Sequence, residues 1–162
     1  MQHLEHPFPP LYDAQSRVLI LGSFPSVKSR EVSFFYGHPK NRFWRVLARL
    51  LECDVPQTIG EKTTLLHAHH VALWDVIASC DIQGSSDSSI RGARANDLSP
   101  ILSAAPIQAV FCNGASAFSL YQKHLEEQTG FAAVQLPSTS PANAAWSLDR
   151  LTEAWRVILK YL

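Results

Sequence analysis

The chain has 162 residues, 46% of them hydrophobic, enough to bury one sizeable core and too few for two ordinary domains. Its 14 Lys and Arg balance 14 Asp and Glu, which argues against a protein that coats nucleic acid nonspecifically, and no stretch approaches the roughly 18 apolar residues that span a bilayer. Three cysteines, Cys53, Cys80 and Cys112, form no CxxC pair and suggest neither a disulfide framework nor a zinc site. The N-terminus MQHLEHPFPP lacks a basic region followed by an apolar one, so an unexported, cytoplasmic protein is expected.

Arg17-Val18-Leu19-Ile20-Leu21, closed by Gly22, is a short apolar run and predicts a buried strand entering a loop. The period then changes: Phe43, Val46, Leu47, Leu50 and Leu51 recur at helical spacing, predicting an amphipathic helix over residues 41 to 52. Val71-Ala72-Leu73-Trp74 running into Asp75 predicts a second strand. Asn96-Asp97 before Pro100 marks the start of a helix over about 97 to 104. Ala109-Val110-Phe111-Cys112 predicts a third strand, running into Asn113-Gly114, and Phe118, Tyr121 and Leu125 mark the helix after it. Ala132 to Leu136 predicts a fourth strand, running into Pro137-Ser138, and Leu148, Leu151, Trp155, Ile158 and Leu159 trace the stripe of a terminal helix capped by Ser147. Nearly continuous apolar runs fit strands buried on both faces. The alternation predicts an α/β/α sandwich around a four-stranded, mainly parallel sheet, in a single domain over residues 1 to 162.

In such a sheet ligands bind beyond the carboxyl ends of the strands. Those ends here carry Gly22-Ser23-Phe24-Pro25-Ser26, Asp75, Asn113-Gly114 and Pro137-Ser138-Thr139-Ser140-Pro141. Turn chemistry alone accounts for Gly, Pro, Ser and Asn in such places, so no single loop decides a function. More distinctive is Phe34-Phe35-Tyr36 followed by Gly37-His38-Pro39-Lys40-Asn41-Arg42-Phe43-Trp44. Phe43 is expected in the core and Asn41 suits a helix N-cap, but an aromatic platform beside a carboxamide also suits a flipped base, which stacks on a ring and bonds to an amide. Six basic residues between 28 and 49, against Glu31 alone, predict a basic patch or a solvated helix face. His67, His69 and His70 lack a supporting carboxylate or thiol, and no metal or other cofactor is expected.

The segments LILGSFPS, GHPKNRFW, IRGARANDL and LPSTSPANAAWS resemble the uracil-DNA glycosylase superfamily, and particularly its hypoxanthine-DNA glycosylase branch, through most of the chain. The resemblance implies a monofunctional repair enzyme that flips a deaminated base, hypoxanthine or uracil, out of DNA and hydrolyses its N-glycosidic bond, with DNA as its partner, no obligate protein partner, and a bacterial cytoplasm or nucleoid as its place. It assigns the catalytic amide to Asn41. Around the base it implies Gly22, Ser23, Phe24, Tyr36, Asp75 and Asn113, with Tyr36 stacking and either Asp75 or Asn113 reading the edge. Lys40, Arg42, Pro137, Ser138, Thr139 and Ser140 fall to the DNA backbone. The chain departs from the superfamily twice: Phe24 stands where mismatch-specific relatives carry a water-positioning Asn, and Leu136 where a His or Asn begins the last motif. Three alternatives stay open: a uracil or mismatch-specific glycosylase, a lesion binder without catalysis, and a small-molecule or nucleotide-binding flavodoxin-like domain. The last predicts a glycine-rich phosphate loop that GSFPSVKS does not supply.

Overall fold

The computed structural model describes residues 1–162. In chain order the elements are β1 (Gln2–Glu5), β2 (Val18–Gly22), α1 (Val27–Val32), α2 (Phe43–Leu50), α3 (Ile59–Ala68), β3 (Val71–Asp75), β4 (Ile77–Ile82), β5 (Arg91–Ala95), α4 (Ser99–Ala104), β6 (Ala109–Asn113), α5 (Ala115–His124), α6 (Glu126–Thr129), β7 (Val134–Leu136) and α7 (Leu148–Trp155). Short 3₁₀ segments follow at Asp87–Ser89 and Arg156–Tyr161.

Four strands form the expected sheet, in the order β3-β2-β6-β7, and every neighbouring pair runs parallel. Their apolar composition follows from position: every residue of β2 and β3 is buried, because helices cover both faces. On one side α2 packs its Phe43, Val46, Leu47 and Leu50 face toward α7, where the Phe43 and Trp155 rings meet edge to face at 5.8 Å. Each such large side chain contributes on the order of 1.5–3 kcal/mol by burial. Helix α7 starts where expected, with the Ser147 hydroxyl accepting the Arg150 N–H at 3.1 Å.

A second sheet was not expected from the sequence. Strands β1, β4 and β5 pair antiparallel in the order β1-β4-β5, with Gln2 opposite Ile82 and Ile77 opposite Ala95. β1 and β5 are short, half-solvated edges of sequence QHLE and RGARA, which carry almost no apolar signal. Their consequence for the site is large. Pairing with β4 carries the N-terminus across the end of β3, and Asn96, just past β5, donates its side-chain N–H to the Asp75 carbonyl at 2.9 Å.

Helix α2 begins at Phe43, two residues after the expected start, with Arg42 rather than Asn41 at the capping position. Asn41 still serves the helix entrance, since its Oδ1 accepts the Phe43 N–H at 2.9 Å. No helix is long and apolar enough to cross a membrane.

Candidate active site

The parallel strands end at a cavity of about 130 Å³, well below the 300–1,000 Å³ typical of drug-sized ligands and on the scale of one planar heterocycle. Gly22, Ser23, Phe24, Tyr36, Asn41, Asp75 and Asn113 all line it, so residues from four separate segments meet as the strand ends predicted. A wider groove of about 720 Å³ continues past Asn113, Ser116, Gln135, Ser138 and Trp146.

One wall is a hydrogen-bonded chain whose direction is fixed at both ends. The Phe43 N–H can only donate, which makes its partner on Asn41 the carbonyl oxygen; the Thr139 N–H likewise donates to Asn113 Oδ1 at 3.0 Å. Asn113 Nδ2 therefore donates to Thr139 Oγ1 at 3.0 Å, and the Thr139 hydroxyl donates onward to Asn41 Oδ1 at 2.8 Å. Oδ1 already accepts two bonds, and Asn41 lines the cavity with an Nδ2 amino group that donates to no protein atom.

The opposite wall is built differently. Asp75 is buried, and its Oδ2 accepts the His6 Nε2–H at 2.7 Å, while its Oδ1 takes no hydrogen bond from the protein. Gly22 faces this oxygen so closely that a Cβ there would lie 2.4 Å from Asp75 Oδ1 and 3.5 Å from the Tyr36 hydroxyl. Only glycine leaves room. The Tyr36 hydroxyl is buried and makes no hydrogen bond of good geometry; burial first, and the Asp75 charge second, push its pKa far up against the opposing approach of the Asn113 amide, so it remains a donor.

Several expectations change here. Phe34, Phe35 and Tyr36 form no open platform: Phe35 is in the core, Phe34 stacks on Trp44, and one face of Tyr36 lies on Phe43 at 4.2 Å. Three aromatics in a row serve each other before any ligand. Thr139, expected at the DNA backbone, is fully buried as the central link of the amide chain and cannot reach a phosphate. Arg42 is not a free phosphate ligand either, because its guanidinium donates to the carbonyls of Trp146, Ser140 and Asn143 and so pins the last loop. The expected basic patch is largely spent: Arg30 donates to the Pro25 and Gly84 carbonyls, Lys28 meets Glu31 at 3.5 Å, and Arg49 pairs with Asp149. Lys40 stays exposed, while Pro137, Ser138 and Ser140 are partly exposed along the groove.

Two site residues were not singled out from the sequence. His6 reaches Asp75 only because β1 pairs with β4, a contact across 69 positions. Asp87 stands at the rim, exposed as a residue, with its Oδ1 accepting the Ser23 hydroxyl at 2.9 Å. Protein packed around this carboxyl disfavours its charge and Asp75 adds like-charge repulsion, so its pKa is raised despite the opposing Ser23 bond. A lone acid in the serine-rich run GSSDSS was the one available signal.

A profile of the uracil DNA glycosylase superfamily matches residues 9–159. The chain belongs to the uracil DNA glycosylase superfamily. Two relatives named hypoxanthine DNA glycosylase, from Methanosarcina acetivorans and Methanosarcina barkeri, are 32% and 33% identical over 156 residues each. These matches cover 95% and 94% of this chain and 97% and 96% of the relatives. A Methanosarcina acetivorans protein solved by solution NMR, described as a candidate uracil DNA glycosylase, superimposes with a TM-score of 0.82 at 30% identity, covering 98% of both chains. Superfamily membership makes the chain a DNA N-glycosylase, and the strand-end cavity is where its polar groups converge.

Proposed function

We propose that this glycosylase releases hypoxanthine from deoxyinosine in DNA by hydrolysis, as a monofunctional enzyme of the cytoplasm. The observation that carries the reading is the Asn113–Thr139–Asn41 chain, which delivers an oriented amide to a cavity sized for one extruded base. Both Methanosarcina relatives named for hypoxanthine match nearly the full length of this chain.

Breaking the bond between C1′ and the base leaves positive charge on the sugar and negative charge on the base, so oriented dipoles and a held water supply most of the catalysis. Asn41 Nδ2 donates to the water oxygen, and the backbone from Gly22 to Phe24 holds it near C1′. As the water attacks, Asp87 at the Ser23 turn accepts its proton; the raised pKa makes this carboxylate the better base. Phe24 gives the base an aromatic wall. Asp75 reads the base edge, and Asn113 supports from the side. The flanking strand follows the groove along Pro137, Ser138 and Ser140, with Lys40 facing a phosphate. Neither Lys28 nor Lys40 lines the cavity, which favours water over an amine as nucleophile.

Base release from duplexes carrying deoxyinosine, deoxyuridine or no lesion, followed by alkaline cleavage at abasic sites, tests this directly. Release from deoxyinosine is expected. Release from deoxyuridine alone would move the protein to the uracil or mismatch-specific reading, and release from neither would leave a lesion binder.

A further inference from the structure

The wall opposite Asn41 holds two polar atoms that the protein leaves unanswered, of complementary kind and side by side. Asp75 Oδ1 can only accept, and the Tyr36 hydroxyl, buried without a partner, can donate. Both lie against the same point, within 2.4 Å and 3.5 Å of where a Gly22 Cβ would stand. A buried, unpaired hydroxyl is costly and normally rare. Its backbone is costly too: Tyr36 has φ of 51°, a left-handed conformation that an aromatic residue seldom adopts, held by the Trp44 indole donating to the Tyr36 carbonyl at 3.2 Å. Strain and an unmet donor coincide at one residue facing one cavity.

Behind Asp75 stands His6, whose side chain is 4% exposed. Its ring is wedged against Trp74 at 4.4 Å and Phe8 at 4.6 Å, and the Phe8 N–H approaches Nδ1 at 3.5 Å, which leaves the proton on Nε2 for Asp75. The carboxylate cannot rotate without breaking that bond.

We infer that His6 is a positioning residue that fixes Asp75 as an acceptor, and that Asp75 Oδ1 and the Tyr36 hydroxyl together read the N–H and C=O pair of a lactam base edge. This rests on the hypoxanthine reading above. Hypoxanthine presents N1–H to the carboxylate and O6 to the phenol. Adenine presents a lone pair at N1, which meets the carboxylate lone pair and is rejected. An asparagine in place of Asp75 could turn its amide to suit either base; a carboxylate held by His6 cannot. Guanine shares the lactam edge, so its exclusion falls to its 2-amino group against the cavity wall and to its stronger pairing in the duplex.

The test measures binding of the intact protein to duplexes carrying 2′-fluoro-deoxyinosine, 2′-fluoro-deoxynebularine or no lesion. The 2′-fluorine blocks cleavage by destabilising the sugar cation, and nebularine lacks both O6 and the N1 proton. Wild type is expected to prefer the inosine duplex over the nebularine duplex. Tyr36→Phe, which keeps the ring, is expected to weaken inosine binding about tenfold and leave nebularine binding within about twofold, the scale of one lost buried hydrogen bond. His6→Leu is expected to narrow the inosine preference about tenfold and His6→Gln, which restores a donor, to recover most of it. Equal weakening toward both lesions in Tyr36→Phe and His6→Leu would make these residues structural only and overturn the inference while the hypoxanthine reading stands. A wild type that binds the inosine duplex no better than the undamaged one would remove that reading and this inference together.

Discussion

The two walls of the cavity solve opposite problems. On the Asn41 side, each link from Asn113 through Thr139 to Asn41 has its partner, and two backbone N–H groups fix the direction of the chain. On the Asp75 side, a carboxylate oxygen and a phenol are left without protein partners. The difference teaches how a small site divides its labour. On the proposed reading, the group that holds the attacking water is oriented in advance, and the groups that distinguish bases are left unsatisfied so that only the right base completes them.

The wired wall breaks most severely at its centre. Thr139→Val keeps the shape and removes the hydroxyl, leaving the Asn113 donor and one Asn41 lone pair unpaired. Stability is expected to fall by about 1–3 kcal/mol, read by denaturant titration, and single-turnover release to fall about 100-fold as the Asn41 amide loses its fixed orientation. Retained activity in a stable variant would show that the chain does not orient Asn41.

On the open wall, Gly22→Ala places a methyl where Asp75 Oδ1 already lies 2.4 Å away. The carboxylate must shift, so lesion binding is expected to drop by more than tenfold, while the fold loses about 1–3 kcal/mol through overpacking. A variant that binds lesion DNA normally would separate Asp75 from recognition.

Between the walls and the solvent, Arg42 and Lys40 are neighbours with different work. Lys40→Ala is expected to reduce the salt dependence of DNA binding by about one phosphate contact, whereas Arg42→Ala loosens the last loop and leaves that slope unchanged. Equal slopes for wild type and Lys40→Ala would remove Lys40 from the interface.

The smallest effect concerns the core beneath the site. Burial pushes the Cys112 thiol up to about 12, so alkylation of the native protein at pH 8 is expected to modify exposed Cys53 and spare Cys112. Rapid labelling of Cys112 would mean that the end of β6 opens far more readily than the packing suggests.

What the sequence revealed follows the same division. β2, β3 and β6 were legible because well-buried strands are nearly continuous apolar runs, β7 through the apolar stretch that ends in buried Leu136 although its Val134 and Gln135 are exposed, and Gly22, Asp75 and Asn113 were legible because they close such runs. β1 and β5 escaped because edge strands with exposed side chains show neither apolar runs nor clean alternation, and His6 escaped with them. Thr139 and Arg42 were placed at the DNA backbone because a Ser- and Thr-rich loop and a basic segment read as surface. Arg42's carbonyl partners lie about 100 positions further along the chain, and Thr139's partners Asn113 and Asn41 lie 26 and 98 positions before it. Local pattern cannot announce such pairings.

The most direct test is single-turnover base release from a deoxyinosine duplex by wild type and Asn41→Ala, with binding to the 2′-fluoro-deoxyinosine duplex measured in parallel. The wired-wall account predicts that release falls at least about 100-fold while binding changes by no more than about threefold, since Asn41 serves the transition state rather than the bound base. Release that is unchanged, or that falls only in step with binding, would contradict it.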